Sequence, residues 1–149
     1  KSSNKLEYYK MAEDELVLVI PSEHKWSRKR HVTFEELKQE PFIVRGSGSG
    51  TQQSFRDLLE KEGLSPKGLR IVAEFGSTTA VIQGIKNRLG ISVLSPISIA
   101  EEIRSGVFST LKLKGLSFKR NFYAVRNGNR TPSPLCEVFF EFLKKRSVL

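Results

Sequence analysis

The stretch Phe42-Ile-Val-Arg-Gly-Ser-Gly-Ser-Gly-Thr51 passes from a short apolar run into a glycine-rich turn, and this transition decides the fold class. The run Phe42-Ile-Val44 combines an aromatic with two β-branched residues, which favour a short buried strand. After the turn, Phe55, Leu58 and Leu59 share one helical face, so a helix is predicted over about residues 51–62. Gly63 suits the C-terminal cap of that helix. The segment therefore predicts one strand-to-helix unit.

The same order of strand, glycine and helix recurs on the C-terminal side of this segment. Residues 69–75 predict a second strand, and Gly76-Ser77 opens a second helix. The apolar positions assigned to that helix are Val81, Ile82, Ile85 and Leu89, with Gly90 closing it.

Further elements extend the alternation in both directions. Strands are predicted at residues 15–20, 91–94, 107–113 and 118–126, and helices begin at Thr33, Ser95 and Ser133. The last helix is assigned the core stripe Leu135, Val138, Phe139, Phe142 and Leu143. Short parallel strands joined by right-handed crossovers are the economical arrangement of such a pattern, so the predicted fold class is α/β.

The composition is that of a globular chain. Its 149 residues are 38% hydrophobic and 28% charged, which suits one domain or two small lobes. No apolar run approaches the roughly 18–20 residues of a membrane-spanning helix. A lone Cys136 excludes an internal disulfide and fits a reducing cytoplasm, so we expect a cytoplasmic protein without membrane association. The chain opens at Lys1 without an initiator Met, which suggests a piece of a longer protein.

The charge is strongly basic, with 25 Lys and Arg against 16 Asp and Glu and a net charge of +9. Such an excess can mark a nucleic-acid surface. Here the basic residues are scattered, with short clusters at 28–31 and 144–146, and no recognition helix accompanies them. We interpret the charge as a solvated surface, so the chain itself is not expected to bind DNA.

The glycine-rich turn is the first candidate binding site. Its glycines let the backbone approach a ligand, and the following helix directs unpaired N–H groups into the same space. The hydroxyl groups of Ser47, Ser49 and Thr51 add donors, which favours a carboxylate or small oxyanion. A phosphate loop is excluded because no Gly-Lys-Ser/Thr follows, and the glycine spacing fits a dinucleotide site poorly. The alternative is a plain turn in which Ser49 or Thr51 caps the helix.

Ser77 and Thr78 form a second junction of this kind. Alone, it is an ordinary helix cap. Because the carboxyl ends of strands converge in open α/β sheets, the two junctions together predict one binding crevice.

The enzymatic alternatives have little support. His24 and His31 have no flanking Cys or carboxylate at metal-ligand spacing and read as surface residues. Cys136 reads as a packed thiol, and the acidic cluster 13–15 as a solvated turn. Ser49 has no identifiable His and acid partners. We therefore expect no catalytic residue, no metal and no cofactor.

Taken in order, these segments resemble the effector-binding domain of LysR-type transcriptional regulators. The landmarks are Asp14-Glu-Leu-Val-Leu-Val-Ile-Pro21, Glu23-His24, Phe34-Glu-Glu-Leu37, Glu40-Pro-Phe-Ile43, the turn Arg45 to Thr51, Ser77-Thr-Thr-Ala-Val-Ile82, Leu89-Gly-Ile-Ser-Val-Leu-Ser95 and Phe122-Tyr-Ala-Val-Arg126. No single motif decides the matter, but their order and spacing cover nearly the whole chain.

The resemblance implies a fold like that of type 2 periplasmic binding proteins, with a small effector between two lobes. Residues 19–118 would form the second lobe, and residues 1–18 and 119–149 would contribute to an incomplete first lobe and the hinge. The family's cleft would be lined here by Ser47, Ser49, Thr51, Ser77 and Thr78. The partners implied are a small, anionic effector, further copies in a homodimer or homotetramer, and DNA bound through an N-terminal winged helix-turn-helix that this chain lacks.

Two departures from the family pattern stand out. His24-Lys-Trp-Ser27 replaces the usual His-Pro-Leu-Ala-like run, and Arg88 occupies a position where glycine is common. The alternative function is a solute-binding protein of a transporter with the same fold, and a third is an anion-binding enzyme on that scaffold. A basic helix-turn-helix upstream would favour the regulator, and a signal peptide would favour the transporter component.

Overall fold

A computed structural model describes residues 6–146, and these divide into two compact units. The central unit comprises Glu15–Phe118. The terminal unit comprises the described residues on either side of it, 6–14 and 119–146. The expectation that residues 19–118 form one lobe of an effector cleft stays a prediction.

The elements alternate as the sequence predicts. The strands are β1 (Leu6–Pro21), β2 (His31–Val32), β3 (Pro41–Arg45), β4 (Arg70–Phe75), β5 (Ser92–Leu94), β6 (Phe108–Leu113) and β7 (Phe118–Asn127). The α-helices are α1 (Phe34–Lys38), α2 (Gly50–Lys61), α3 (Thr78–Lys86), α4 (Ala100–Arg104) and α5 (Pro134–Arg146). Short 3-10 turns occupy Pro66–Gly68 and Pro96–Ile99. No helix among residues 6–146 is both long enough and apolar enough to span a membrane.

The strands form one mixed sheet and one parallel pair. In the mixed sheet β1 pairs antiparallel with β5 and β6, β2 pairs parallel with β6, and β7 pairs with β1. Strands β3 and β4 form the parallel pair. The expectation of parallel strands throughout is therefore wrong. The chain enters the central unit along β1 and leaves it after β6, so these neighbours run in opposite directions.

Strand β3 is covered by a helix on each face, whereas Ile71 and Val72 of β4 are exposed. Phe42 and Val44 belong to the apolar cluster that contains Phe55 of α2, and the rings of Phe42 and Phe55 stack at 5.7 Å. Ile43 points the other way, into the cluster that contains Ile85 of α3. This alternation explains why β3 is apolar at consecutive positions: both of its faces are buried.

Helix α1 begins with the predicted capping box. The Thr33 hydroxyl accepts a hydrogen bond from the Glu36 N–H at 3.2 Å, and the Glu36 carboxylate accepts from the Thr33 N–H at 2.7 Å. Lys29 also donates to that carboxylate at 2.6 Å. The hydrogen bonds from Lys29 and from the Thr33 backbone lower the pKa of Glu36 to about 2.

The end of α3 differs from the prediction. The helix ends at Lys86, so Leu89 lies outside it and is exposed. Arg88 takes the left-handed conformation, with a φ of 58°, that glycine usually supplies after a helix. Gly90 has a different role: a Cβ there would lie 2.6 Å from the carbonyl oxygen of Pro41. Close backbone approach, and not capping, requires this glycine.

In the terminal unit, α5 contacts β1 through a residue that the sequence reading did not select. Phe140 is buried and meets the ring of Tyr9 edge-on at 4.6 Å. The predicted core stripe is wrong for four of its five positions, because Leu135, Val138, Phe139 and Phe142 are exposed. Cys136 is exposed as well, so its interpretation as a packed thiol is also wrong.

The acidic cluster at residues 13–15 lies within β1 and is not a solvated turn. Asp14 is buried and forms a salt bridge of 2.6 Å with Arg120 of β7. A buried carboxylate of this kind needs its partner, because an unpaired charge out of water is strongly destabilising.

Candidate functional site

The two predicted junctions lie at the same edge of the parallel pair. Arg45 and Phe75 end β3 and β4 and are register partners. The Gly46 N–H donates to the Phe75 carbonyl at 3.0 Å and extends this pairing by one residue. The chain then turns into α2 on one side and α3 on the other. The N-terminal ends of both helices therefore follow the carboxyl ends of adjacent parallel strands, as the sequence predicts.

The first junction is a tight turn that ends in a helix cap. Gly48 has a φ of 86°, a conformation that favours glycine. Ser49 is the N-cap of α2, and its hydroxyl oxygen accepts from the Gln52 N–H at 3.3 Å. Ser47 is exposed, and Thr51 is half-buried in the first turn of the helix. Capping by Ser49 uses the oxygen as acceptor and leaves its O–H able to donate.

A groove of about 320 Å³ opens beside this junction, between α2 and β4. Two of the predicted ligand-binding residues, Ser47 and Ser49, line it. The charged residues around it are Arg45, Arg56, Lys67 and Glu74. Three cations against one carboxylate give the groove a positive potential, which favours an anion.

The second junction places Ser77 and Thr78 at the start of α3. Ser77 is the N-cap, and its hydroxyl oxygen accepts from the Ala80 N–H at 3.1 Å. The Thr78 hydroxyl accepts a hydrogen bond of 2.6 Å from Nη1 of Arg45. Neither residue lines the groove between α2 and β4, and neither does Thr51. The five predicted residues thus fall into two groups along one sheet edge.

Arg45 joins the two groups and is the residue that the sequence reading missed. Its backbone N–H donates to Oε1 of Gln52 on α2 at 3.4 Å, and its guanidinium reaches Thr78 on α3. Its Nε is buried and has no hydrogen-bond partner among the described residues. The sequence does contain a signal for this residue, because Arg45 is the only charged residue of the buried strand β3 and directly precedes the glycine-rich turn.

A second cavity, of about 370 Å³, lies at the opposite end of β3, next to Pro41. Its charges are paired with one another. Glu40 is buried, forms an ion pair with Lys25 and lies within hydrogen-bond distance, 3.4 Å, of Nε2 of His24. Nδ1 of His24 accepts from the Trp26 N–H at 3.2 Å. His24 is therefore a packed residue, and not the surface residue that we expected.

The two departures from the family pattern meet at this second cavity. Glu23, in the loop that contains the unusual run, forms an ion pair with Arg88, which occupies the usual glycine position. Both side chains are largely exposed. Because an exposed ion pair contributes little, this contact does not explain why an arginine occupies the left-handed position.

No group of three or more His, Cys, Asp or Glu side chains among residues 6–146 could hold a metal ion. His31 is exposed at the edge strand β2. The groups that the candidate site presents are hydroxyl groups, helix amides and one guanidinium.

The chain is similar in sequence to one protein family and to transcription regulators. The model of the LysR substrate binding domain family matches residues 1–147. A RuBisCO operon transcriptional regulator of Acidithiobacillus ferrooxidans is 34% identical over 132 residues, which are 89% of this chain and 42% of that protein. The HTH-type transcriptional activator CmpR of Synechocystis is 28% identical, over 88% of this chain and 42% of the relative. The chain thus spans less than half the length of these curated relatives.

Solved structures show the same fold. The regulatory domain of CcmR from Synechocystis, in complex with 2-PG, has a TM-score of 0.85 and 25% identity, covering 99% of this chain and 70% of that one. The effector binding domain of QuiR, in complex with shikimate, has a TM-score of 0.79 and 18% identity, covering 95% and 65%.

Proposed function

Because the chain belongs to the LysR substrate binding domain family and has the fold of LysR regulatory domains, we propose that it senses a small anionic effector for a transcription regulator. The observation that carries the proposal is the pair of helix N-termini at one sheet edge, with Arg45 between them. Helix N-termini bind anions through their unpaired N–H groups and the positive end of the helix dipole.

The residues proposed to bind the effector are Ser47, Ser49, Thr51, Ser77 and Thr78. Each carries a hydroxyl group in or beside the first turn of α2 or α3. Where a hydroxyl already accepts a hydrogen bond from the chain, its own proton can still be donated to a ligand. The positive groove beside Ser47 and Ser49 supports the same class of ligand.

The proposed regulation is a linkage between effector and DNA. An effector shifts a conformational equilibrium only as far as its affinities for the two states differ. In the full-length protein that difference would change DNA binding through a separate N-terminal domain, in a cytoplasmic homodimer or homotetramer. Residues 15–118 would supply the contacts of one side of the cleft, because both junctions lie within them.

The relatives favour this function over the alternatives. The proteins that match most of this chain are transcription regulators, and the solved regulatory domains include ones with 2-PG or shikimate bound. None of them supports the alternative of a transporter's solute-binding protein. Regulators of this class are not enzymes, in keeping with a site built from binding groups.

A thermal-shift screen of small metabolites on the full-length gene product tests the proposal. A ligand at a hundredfold excess over its Kd stabilises a protein by about 2.7 kcal/mol, which is readily measured. A screen without any stabilising metabolite would argue against a sensing role. Loss of binding in Thr51→Val, but not in Thr110→Val on the exposed side of β6, would locate the site.

The second junction has a sharper variant. Ser77→Asp keeps an N-cap acceptor and so should preserve α3, but it places a negative charge at the proposed anion site. We expect it to weaken an anionic effector at least tenfold. Ser133→Asp makes the same change at the start of α5, where the exposed Ser133 hydroxyl oxygen accepts from the Cys136 N–H, and should leave binding unchanged. Equal binding by both variants would exclude the junction at Ser77.

A further inference from the structure

The charge of Arg45 is not balanced by the described part of the chain. Its side chain makes a single hydrogen bond there, from Nη1 to Thr78, although a guanidinium has five N–H donors. No carboxylate among residues 6–146 forms a salt bridge with it. The other half-buried arginines behave differently: Arg120 pairs with Asp14 at 2.6 Å, and Arg126 pairs with Glu7 at 2.5 Å.

The position of Arg45 is unfavourable for a cation. Its Nε–H is buried without an acceptor among residues 6–146, and leaving a buried donor unsatisfied is destabilising, the more so in a charged group. The guanidinium also lies at the N-terminal end of α3, where the helix dipole repels positive charge. Both effects would be relieved by an anion bound beside the guanidinium.

The nearest strand carboxylate does not supply that anion. Glu74 is the register partner of Val44, whose side chain faces α2, whereas Arg45 is paired with Phe75 on the face of α3. Residues paired in register project to the same face of a sheet. Glu74 lines the groove beside α2, as Arg45 does in part, but it forms no salt bridge or hydrogen bond with the Arg45 guanidinium.

We propose that Arg45 recognises the charge of the effector, and that the effector bears a carboxylate or phosphate group bound by this guanidinium and the Thr78 hydroxyl. A guanidinium presents two parallel N–H donors that match either group. The Thr78 oxygen now accepts from Arg45, so its proton remains available to the anion. Since no hydrogen bond holds Nε, the guanidinium can turn toward the ligand while losing only one contact.

This inference rests on the proposed sensing function and specifies its ligand. The probes are inorganic phosphate, glycerol phosphate and succinate, with glycerol and succinamide as neutral counterparts. Melting temperatures and titration calorimetry are measured on the full-length gene product. We expect at least one anion to bind and its neutral counterpart to bind at least tenfold more weakly. Stabilisation by none of the anions, or equal binding of a neutral counterpart, overturns the proposal.

Variants of Arg45 separate its charge from its shape. Arg45→Gln should weaken anion binding at least tenfold, and Arg45→Lys should retain part of it because the charge stays while the two-donor fork is lost. Arg70→Gln, at the exposed start of β4, is the matched control and should bind normally. Anion binding by Arg45→Gln within twofold of the unsubstituted protein would overturn the assignment.

The ligand-free proteins provide a second measurement. If an external anion is the partner, Arg45→Gln should melt at the same temperature as the unsubstituted protein or higher. A lower melting temperature would show that contacts within the ligand-free protein already stabilise Arg45, which contradicts the proposal. A neutral metabolite that binds the unsubstituted protein and Arg45→Gln equally would leave the sensing function standing and exclude only the role of Arg45.

Discussion

The close approach at Gly90 gives a quantitative test of how β3 is held in place. Gly90 is buried, and its neighbour Ile91 donates to the Pro41 carbonyl at 2.9 Å and accepts from the Ile43 N–H at 2.8 Å. A Cβ on residue 90 would lie 2.6 Å from that carbonyl oxygen and 3.0 Å from its carbon. Both atoms belong to the backbone, so the Gly90→Ala variant must push β3 away or distort the loop.

The expected destabilisation follows from two effects. Overpacking a closed site costs about 1–3 kcal/mol, and a weakened hydrogen bond from Ile91 to Pro41 adds about 0.5–1.5 kcal/mol. We therefore expect Gly90→Ala to lower the free energy of unfolding by about 2–4 kcal/mol. For a chain of this size that corresponds to about 4–16 °C in melting temperature.

Urea unfolding followed by circular dichroism measures this loss directly. Gly76→Ala is the matched control, because a Cβ at Gly76 meets no atom within 4 Å. That variant should be neutral, or more stable by up to about 1 kcal/mol, since alanine narrows the unfolded ensemble. If Gly90→Ala proved as stable as Gly76→Ala, the packing of the loop against β3 would be wrong.

Three further predictions concern the ends and edges of the fold. Arg88→Gly should raise the free energy of unfolding by up to about 1 kcal/mol, measured by chemical denaturation, because glycine adopts the left-handed conformation without strain and the exposed ion pair contributes little. A decrease of more than about 1 kcal/mol would contradict this. The pKa of Glu36 is about 2 in the folded state and 4.5 without its partners, so its contribution to stability is complete above pH 4.5 and is lost as the pH falls toward 2. The melting temperature of Glu36→Gln should therefore depend less on pH between 4.5 and 2 than that of the unsubstituted protein. An equal dependence in both proteins would refute this. Asp14→Ala should cost about 3–5 kcal/mol because it removes the buried carboxylate of the salt bridge with Arg120, and adding Arg120→Met should recover much of that loss; no recovery would show that the pair matters for another reason.

Most of the fold was predictable because it depends on local signals. The apolar run at residues 42–44, the capping box from Thr33 and the serine caps at Ser49 and Ser77 all occur where the sequence placed them. Strand direction was not predictable in the same way. The antiparallel pairing of β1 with β6 depends on where the chain enters and leaves the central unit, and no local pattern records that.

The core face of α5 was predicted wrongly because its apolar residues are compatible with more than one buried helical face. Phe140 is buried in α5 while Phe139 is exposed, although both are apolar, because contact with Tyr9 on β1 selects the face. The predicted length of α3 was wrong for a different reason. The left-handed position after this helix is usually a glycine but is Arg88 here, so the sequence predicted that the helix continues to Leu89.

The candidate site was predictable in position but not in charge. Glycines, serines and threonines marked both junctions, and the placement of the junctions at one sheet edge followed from parallel pairing of β3 and β4, although of the predicted residues only Ser47 and Ser49 line the groove there. Arg45 escaped notice because its importance depends on contacts with α3 that are distant in sequence. A buried donor without an acceptor can be recognised only in three dimensions.

The most direct test of the sensing function is a crystal structure of the protein bound to the compound that the metabolite screen identifies. The account predicts an anionic group at the first turns of α2 and α3, in contact with Ser77 or Thr78 and with the Arg45 guanidinium. A ligand seated instead in the cavity beside His24 and Glu40, with both helix junctions empty, would contradict it.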